Sequence, residues 1–345
     1  MSMRKNIDSI DRVLIVGLGS IGQRHLRIAR SLLPNADIKI LRHQFNDQAE
    51  DPLSNGTLYL IEDAVQFAPQ IAIISSPAAF HLSSAQALAE VGVHLFIEKP
   101  LASSLHDVDK LLEICLRRQN ILMIGYNLRF LPSLQYFRRA LIDGGVVGKV
   151  LLVNCEAGQY LPSWRPNSDY RKSVSANREL GGGVLLELSH ELDYLRWIFG
   201  EVEWVKATLS RQSSLVLDVE DSASLTLGFS PDSDGWGLIG SVNLDFIRQD
   251  TSRRCIAIGE HGSLQWNGLT GEVSLYQAGA KQWKKIFSHS HHPDNSYISE
   301  WEHFLDCVKT NRAPLITGVD GLKVLQIIDA ARHAASSRYQ ILVPK

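Results

Sequence analysis

The segment GGGVLLELSHELD, residues 181–193, joins a leucine-rich stretch to four titratable side chains. Buried helices rarely carry so many titratable groups unless those groups are paired or functional. When the residues are placed at about 100° per residue, the leucines occupy one arc. The opposite arc holds Glu187, His190, Glu191 and Tyr194. The pattern predicts one amphipathic helix over 181–199 whose polar arc faces a ligand, and the three leading glycines indicate that the main chain approaches that ligand closely. The alternative interpretation is a polar arc that faces water.

A glycine-rich turn near the start of the chain indicates a second site. VGLGSIGQRH places Gly17, Gly19 and Gly22 in GxGxxG spacing, directly after a strand-like run and at the start of a helical pattern. Such glycines allow a tight turn and let the main chain approach a pyrophosphate at the helix N-terminus. Ser20 and Ile21 complete the loop. Because the strand and the helix are both readable, the motif predicts a bound dinucleotide, and a purely structural glycine turn is the alternative.

The end of the second strand indicates which dinucleotide is bound. About 20 residues after the glycines, an Asp or Glu would bond the ribose 2′-hydroxyl. The chain has Arg42 and His43 there, with no acid. Arg42 would pair with a 2′-phosphate, which favours NADP over NAD. The alternative interpretation is a solvated arginine at a strand end.

Lys99, in the segment FIEKPLA (96–102), is the third candidate for chemistry. It follows a buried strand, and open α/β sheets place their ligands at the carboxyl ends of their strands. Removing a hydride from a carbinol carbon requires loss of the hydroxyl proton. A partly desolvated lysine beside a positively charged nicotinamide has its ammonium form disfavoured, so it can take part in that proton transfer. A surface salt bridge at the strand end is the alternative.

Four motifs in order along the chain carry a family resemblance. They are the GxGxxG turn, SSPAAFH (75–81), EKPLA (98–102) and GYNLRFLP (125–132). With them the chain resembles the glucose-fructose oxidoreductase / inositol dehydrogenase family over nearly its whole length. The resemblance implies an N-terminal Rossmann domain joined to a C-terminal α/β domain whose open sheet mediates homodimers or homotetramers.

The resemblance also implies roles for single residues. It places Lys99 at the reacting hydroxyl and Glu98 at the cofactor, with a cis Lys-Pro bond. Further matches to cofactor-contacting positions are Ser75, Ser76, Pro77, His81, Asn127, Trp164 and Arg165. Asn127 and Arg129 match residues at the mouth of the cofactor and substrate sites. His190 matches the general acid/base of the family, and Glu187 would then orient the substrate or Lys99.

The catalytic helix departs from the family pattern by one residue. Family members carry an aspartate, a histidine four residues later and an aspartate three beyond. Here Glu187 and His190 are three apart, and Asp193 keeps the final spacing. Either His190 is catalytic on a slightly rotated helix, or Glu191 occupies the histidine position. We favour His190, because imidazole titrates near neutrality.

The segment 158–173 is rich in aromatic and basic residues and longer than the typical family pattern. We interpret it as a substrate loop in which rings stack on a sugar and arginines bind an acidic group. Its candidate contacts are Tyr160, Trp164, Arg165, Tyr170 and Arg171. A surface loop that covers the sheet is the alternative. The histidines of SHSHHP (288–293) lack a supporting carboxylate or cysteine pattern, so we predict no metal site.

The elements that must position these residues fall into two groups. Short Val/Ile/Leu-rich runs at 12–17, 37–42, 71–76, 93–100 and 121–126 alternate with helical patterns, which predicts a parallel sheet. After a strand at 148–158 and the 181–199 helix, the runs between 202 and 287 lack helices and predict a mostly antiparallel sheet. Two helices, 295–310 and 318–336, close the chain. The predicted fold is α/β, with a Rossmann domain over 1–125 and a substrate-binding and oligomerisation domain over 126–345 that contains a large open sheet.

Composition restricts the partners. The chain has 345 residues, 45% hydrophobic, with a formal net charge of -2. This length suits two domains, and the charge gives no reason to expect nucleic acid or an anionic membrane as a partner. No apolar run reaches the roughly 18 residues of a spanning helix. Four scattered cysteines fit a reducing cytoplasm.

These observations predict an NAD(P)-dependent oxidoreductase that acts on a hydroxyl or ketone carbon of a sugar, sugar derivative or cyclitol. Two alternatives stay open, both present in the same family. One is a glycosidase that uses bound NAD in a transient oxidation. The other is a dinucleotide-binding regulator without catalysis, against which the presence of Lys99 and His190 counts.

Overall fold

The computed structural model describes residues 9–42, 51–143, 145–231, 235, 237–290 and 292–344. They form two compact units. The first comprises Met1–Tyr126 and Tyr297–Leu325, and the second comprises Asn127–Ser296 and Gln326–Lys345. The chain first passes from one unit to the other between Tyr126 and Asn127. The segment 297–325, which the sequence assigned to the second domain, is part of the first unit instead.

The first unit contains a six-stranded parallel sheet in the order β3-β2-β1-β4-β5-β6. Its strands are β1 (Arg12–Val16), β2 (Asp37–Leu41), β3 (Thr57–Leu58), β4 (Ile71–Ile74), β5 (His94–Glu98) and β6 (Leu122–Gly125). The helices between them are α1 (Ser20–Leu32), α2 (Ile61–Phe67), α3 (His81–Glu90) and α4 (Val108–Arg118). Every residue of β4, β5 and β6 is buried. Strands covered on both faces have continuous apolar sequences rather than alternating ones, which is why these runs could be read directly.

The second unit is built on a nine-stranded sheet in the order β14-β13-β12-β11-β7-β10-β9-β8-β15. The remaining elements, in chain order, are α5 (Pro132–Ile142), β7 (Val150–Gly158), α6 (Val184–Glu187), α7 (His190–Phe199), β8 (Val202–Ser210), β9 (Ser222–Phe229), β10 (Ile239–Asp245), β11 (Ser252–Gly259), β12 (Gly262–Asn267), β13 (Glu272–Gln277), β14 (Lys284–Ser288), α8 (Asn295–Thr310), α9 (Gly318–Ser337) and β15 (Ile341–Leu342). The named strands pair antiparallel except for β7 and β10, which are parallel neighbours. The predicted fold class is thus confirmed.

Helix α8 explains why the chain returns to the first unit. Trp301 and Phe304 are fully buried there and pack in one cluster with Phe96 of β5. Their rings lie 6.3 and 5.6 Å from the Phe96 ring. Helical periodicity shows that α8 has an apolar side, but periodicity cannot tell which of two sheets that side covers.

Candidate active site

The glycine turn has the shape that a pyrophosphate requires. Gly17 has φ +87°, and a Cβ there would lie 2.7 Å from the Ser76 main-chain nitrogen. A Cβ on Gly22 would collide with the Gly17 carbonyl oxygen. These two glycines are therefore needed by the turn and by helix packing. Among the described residues, nothing lies within 4 Å of a Cβ built on Gly19, so its main chain borders open space.

The surroundings of this turn also fit an anionic ligand. Gly19 is the N-cap of α1, and as a glycine it has no side chain to cap that helix end. The first N–H groups of a helix lack partners within the helix and carry partial positive charge. Ser76 Oγ is buried and has no hydrogen-bond partner among the described residues. The residues present therefore fit the phosphates and adjoining ribose of a dinucleotide, including the positions of Ser20 and Ile21 in the first turn of α1.

Ser75 and Arg42 also lie beside the turn. The Ser75 hydroxyl lies 3.0 Å from the carbonyl oxygens of both Val16 and Gly17. It holds the loop in place rather than presenting its hydroxyl to a ligand. Arg42 directly follows β2 and is half-buried, with its main-chain N–H bonded to Leu58 O. His43, the other predicted ribose contact, lies outside the described residues.

Glu98 and Lys99 end β5, the neighbour of β4 in the sheet. The Lys99–Pro100 peptide bond is cis, as the family resemblance implies. Lys99 is half-buried. Glu98 is buried, and its Oε2 accepts a hydrogen bond from the Lys99 main-chain nitrogen at 3.2 Å. Glu98 Oε1 lies 2.8 Å from Nε2 of the fully buried His25. The sequence analysis did not find His25, although its position three residues after Gly22 puts it on the same side of α1.

His81 is a buried residue with both ring nitrogens beside carbonyl oxygens. Nε2 lies 2.7 Å from Ser76 O, and Nδ1 lies 3.0 Å from Pro100 O. Burial lowers the pKa of the imidazole below 6.5, and this outweighs the opposite effect of the two carbonyl oxygens and of Glu98. His81 is therefore a neutral ring with one N–H, which donates to only one of these two carbonyl oxygens.

The lowered pKa of His81 predicts how stability depends on pH. The unfolded chain protonates this histidine below about pH 6.5, whereas the folded chain resists protonation. Its contribution to stability is therefore present above that pH and is lost as pH falls toward the lower, folded pKa. We expect the unfolding midpoint of His81→Gln to fall less steeply than that of the wild type between pH 7.5 and 5.5. His106→Gln, at an exposed histidine, is the control, and parallel curves for His81→Gln and wild type would contradict the prediction.

The predicted single helix over 181–199 is interrupted in the second unit. Helix α6 ends at Glu187, and α7 begins at His190 with Ser189 as its N-cap. The interruption changes the direction in which the side chains of α7 point relative to those of α6. The two arcs predicted for a single helix are therefore wrong. Glu187 and His190 remain half-buried. Glu191 and Tyr194 are fully buried rather than on the polar side.

Gly182 and Gly183, which precede α6, are needed for close contacts within the chain, whereas the sequence predicts that they allow a close approach to a ligand. A Cβ on Gly182 would lie 2.8 Å from the carbonyl oxygens of Ser175 and Asn177, and one on Gly183 would lie 2.5 Å from the Glu220 carboxylate. Gly183 also has φ +106°. The close approach that they permit is to other parts of the same chain. Glu220 Oε1 accepts from Leu185 N, so this carboxylate caps the helix.

Two buried acids of α7 belong to ion pairs. Glu191 Oε1 lies 2.7 Å from Arg253 Nε, and Asp193 accepts two hydrogen bonds, of 2.9 and 2.6 Å, from the Arg129 guanidinium. Both acids and Arg129 are at most 2% exposed. Glu191 and Arg129, both predicted to contact substrate, thus have buried side chains whose ion pairs hold α7 in the second unit. Of the two candidates for the family histidine position, only His190 keeps partial exposure.

The other predicted contacts in the second unit are spread over different environments. Asn127 is buried, and its Nδ2 donates to Ser296 Oγ at 2.9 Å. Trp164 donates to Gln159 O and meets the Phe246 ring edge-on, while Arg165 is exposed. Tyr160 is half-buried.

The 158–180 segment folds into short helical turns beside the 211–218 loop. Tyr170 Oη accepts from Val216 N, and Arg171 pairs with Asp169, whose pKa this hydrogen bond lowers. A shallow groove in this region is lined by Arg171, Asn177, Arg211, Ser213, Ser214 and Asp218, among others. Arg171 therefore has a carboxylate partner within the same segment.

Three other features of the described residues bear on function. Helices long and apolar enough to cross a membrane are absent from the described part of the chain. Within those residues, His, Cys, Asp and Glu form no group of three or more that could hold a metal ion, and His291 of the SHSHHP segment lies outside them. All four cysteines are buried free thiols.

Known proteins resemble the chain over nearly its whole length. Two models of an oxidoreductase family match it: the NAD-binding Rossmann fold over residues 12–126 and the C-terminal alpha/beta domain over residues 139–342. The myo-inositol 2-dehydrogenase of Thermotoga maritima is 25% identical, with 96% of this chain and 98% of the relative covered. The inositol 2-dehydrogenase of Rhizobium meliloti is also 25% identical, over 95% and 98%.

Solved structures share the fold. Levoglucosan dehydrogenase in complex with NADH aligns with a TM-score of 0.84 at 20% identity, covering 97% of this chain and 99% of that one. The WlbA dehydrogenase from Bordetella pertussis, in complex with NADH and UDP-GlcNAcA, aligns with a TM-score of 0.81 at 21% identity, covering 98% and 99%.

Proposed function

Because the chain belongs to the glucose-fructose oxidoreductase / inositol dehydrogenase (Gfo/Idh/MocA) family, we propose that it oxidises or reduces a CH–OH carbon of a sugar, sugar derivative or cyclitol. That it is an oxidoreductase with an NAD-binding Rossmann fold follows from the family itself. The substrate class is supported by the full-length relatives, which are dehydrogenases of inositol.

The observation that carries the proposal is the arrangement at the carboxyl ends of β1, β4 and β5. The open main chain at Gly19, the buried hydroxyl of Ser76 and the cis segment that bears Lys99 all lie in the first unit. A nicotinamide bound there would supply or accept the hydride. Lys99 then binds the reacting hydroxyl and takes part in removal or return of its proton.

In the second unit we assign the general acid/base role to His190 and the orientation of the substrate to Glu187. Both are half-buried at the interruption between α6 and α7. Asn127, Tyr160, Tyr170 and Arg171 remain candidate substrate contacts, and Trp164 and Arg165 remain candidate cofactor contacts.

A substrate screen tests this function directly. The protein should reduce NAD(P)⁺, followed by absorbance, with at least one compound from panels of cyclitols, free sugars and nucleotide sugars. Lys99→Met is the inactive control. Release of a glycosyl leaving group without net change in the cofactor, or cofactor binding without turnover on the whole panel, would contradict a dehydrogenase.

Cofactor choice gives a separate prediction. We propose that Arg42 favours NADP, because its guanidinium can pair with the 2′-phosphate and the two residues directly after β2, Arg42 and His43, offer no acid to bond a 2′-hydroxyl. In fluorescence titrations the wild type should bind NADPH more tightly than NADH. Arg42→Ala should weaken NADPH binding about tenfold or more, the effect of one charged hydrogen bond, and leave NADH binding unchanged. Tighter binding of NADH by the wild type would refute the role of Arg42.

The choice between His190 and Glu191 can be tested with two substitutions. His190→Asn should lower kcat by about 10²- to 10⁴-fold, the usual contribution of a general acid/base, with little loss of thermal stability. Glu191→Gln should lower thermal stability and leave kcat nearly unchanged, because it leaves Arg253 without its charged partner and removes no reacting group. The reverse result, with activity lost in Glu191→Gln and kept in His190→Asn, would move the role to Glu191.

Location and assembly complete the proposal. The four buried free thiols support a reducing cytoplasm. The wide sheet of the second unit supports a homodimer or homotetramer of the kind that the family resemblance implies. Neither nucleic acid nor a membrane is proposed as a partner, because the formal net charge is only -2.

A further inference from the structure

Two side chains that take no direct part in the proposed reaction are linked to Lys99 through Glu98. Nε1 of Trp301 donates to His25 Nδ1 at 2.8 Å, and His25 Nε2 lies 2.8 Å from Glu98 Oε1. Glu98 Oε2 accepts from the Lys99 main-chain nitrogen at 3.2 Å. Helix α8, helix α1 and the end of β5 are thus joined within the first unit by one continuous line of hydrogen bonds.

The direction of these hydrogen bonds follows from the chemistry of indole. An indole N–H can only donate, so His25 Nδ1 must accept and carries no proton. The ring proton is therefore on Nε2, where it points to the Glu98 carboxylate. Trp301 thereby selects the one neutral tautomer of His25 that can donate to Glu98.

The carboxylate of Glu98 is also confined sterically. Gly125 of β6 is its register partner, and a Cβ at that position would lie 3.2 Å from Glu98 Cδ and 3.0 Å from the Phe96 ring. The His25 ring meets Phe96 edge-on at 5.2 Å. The side chains of His25 and Glu98 are 0% and 9% exposed. With both oxygens bonded and this little space, Glu98 holds one orientation.

We propose that Trp301 and His25 are positioning residues that fix, through Glu98, the main chain from which Lys99 extends. The proposal rests on the function proposed above, because it takes Lys99 as the catalytic residue. A lysine side chain is long and flexible, so the place of its amine depends on a fixed main chain. A displacement of about 1 Å at a reacting group can cost about 10²-fold in rate.

The test compares three variants of the full-length protein. His25→Leu removes both hydrogen bonds, and His25→Gln keeps a donor and an acceptor on a side chain of similar reach. His94→Leu is the matched control, since His94 is a buried histidine at the opposite end of β5 from Glu98, where its Nδ1 accepts a hydrogen bond from Ile121 N. Each variant is measured by hydrogen exchange of the peptide covering 98–101, by NADH titration, and by kcat and KM.

In His25→Leu we expect exchange in the 98–101 peptide to be about tenfold faster or more, the loss expected for one hydrogen bond to a charged group. NADH affinity should change little, and kcat should fall about 10- to 100-fold with KM for substrate nearly constant. His25→Gln should restore most of the protection from exchange at 98–101 and most of kcat. His94→Leu should lower stability without changing exchange at 98–101 or kcat.

A second variant covers the case in which His25→Leu fails to fold. Trp301→Phe keeps an aromatic ring in the core and removes only the N–H that selects the His25 tautomer. Trp301→Phe should also make exchange at 98–101 faster and kcat lower, but by less than His25→Leu does. If neither foldable variant differs from His94→Leu at matched stability, His25 and Trp301 only pack the core and the proposal is overturned.

Failure of this proposal and failure of the proposed function are distinguishable. Hydrogen exchange and NADH titration need no substrate, so they decide the link to Lys99 even if the wild type turns over nothing in the screen. An active wild type with unchanged exchange and kcat in His25→Leu would refute the link and leave the function standing.

Discussion

Lys99→Met should keep cofactor binding and lose turnover. Methionine has a similar length and flexibility but no group that can bind the reacting hydroxyl or move its proton, so kcat should fall by about 10²- to 10⁴-fold. The cradle at Gly17, Gly19 and Ser76 is untouched by this change. The titration of NADPH fluorescence should therefore give a dissociation constant close to that of the wild type.

Lys110→Met is the control for loss of one positive charge, because Lys110 is an exposed residue of α4. It should leave both measurements unchanged. If Lys99→Met turned over the true substrate at the wild-type rate, Lys99 would have no catalytic role. If it lost cofactor affinity as well, its main effect would be on binding of the nicotinamide end.

The second large effect is expected on stability, from Arg129→Met. The Arg129–Asp193 pair is bidentate and almost completely buried. Removing one partner leaves a buried carboxylate without its compensating charge, which typically costs about 3–5 kcal/mol. For a unit of this size each kcal/mol shifts the unfolding midpoint by about 2–4 °C. Calorimetry should therefore show a loss of roughly 6–20 °C in the transition of the second unit.

The paired variant Arg129→Met with Asp193→Leu separates charge from packing. Replacing both members of a buried ion pair by apolar groups is often neutral or stabilising, so the double variant should recover much of the lost midpoint. Lys285→Met, in the exposed pair with Glu272, should cost no more than about 1 kcal/mol. A small effect of Arg129→Met, equal to that of Lys285→Met, would contradict the stabilising role of the pair.

The first unit was predictable in detail because its strands are buried on both faces. Runs such as IAII at 71–74 contain the apolar signal without interruption, and the glycine turn has its own spacing. The position of α8 was not predictable in this way. The apolar side of α8 fits either sheet equally well, and only the fold shows that Trp301 packs on Phe96.

The prediction for the second unit failed at one local irregularity. A helical projection assumes a constant rotation per residue, and the break between Glu187 and His190 violates it. Glu191 is therefore fully buried rather than on the predicted polar side, and it pairs with the half-buried Arg253 of β11. That pair joins residues 62 positions apart in the chain, and neither spacing nor composition could indicate it.

The parallel pairing of β7 with β10 was also not predictable, because it too joins segments that are far apart in the chain. Each of these strands is readable as a short apolar run, but a register between distant strands depends on the whole sheet. His25 was missed for a simpler reason: a single histidine on a helix indicates no partner until Glu98 and Trp301 are seen on either side of it.

The discontinuous make-up of the first unit has a consequence for synthesis on the ribosome. The nascent chain completes the glycine turn and all six strands by Gly125, yet Trp301 and Phe304 emerge only after residues 127–296 have been made. Until then the sheet lacks the aromatic side chains that cover Phe96 and give His25 its donor. A fragment that ends at Tyr126 should therefore be prone to aggregation, and expression of the nucleotide-binding part alone would need the α8 segment fused to it.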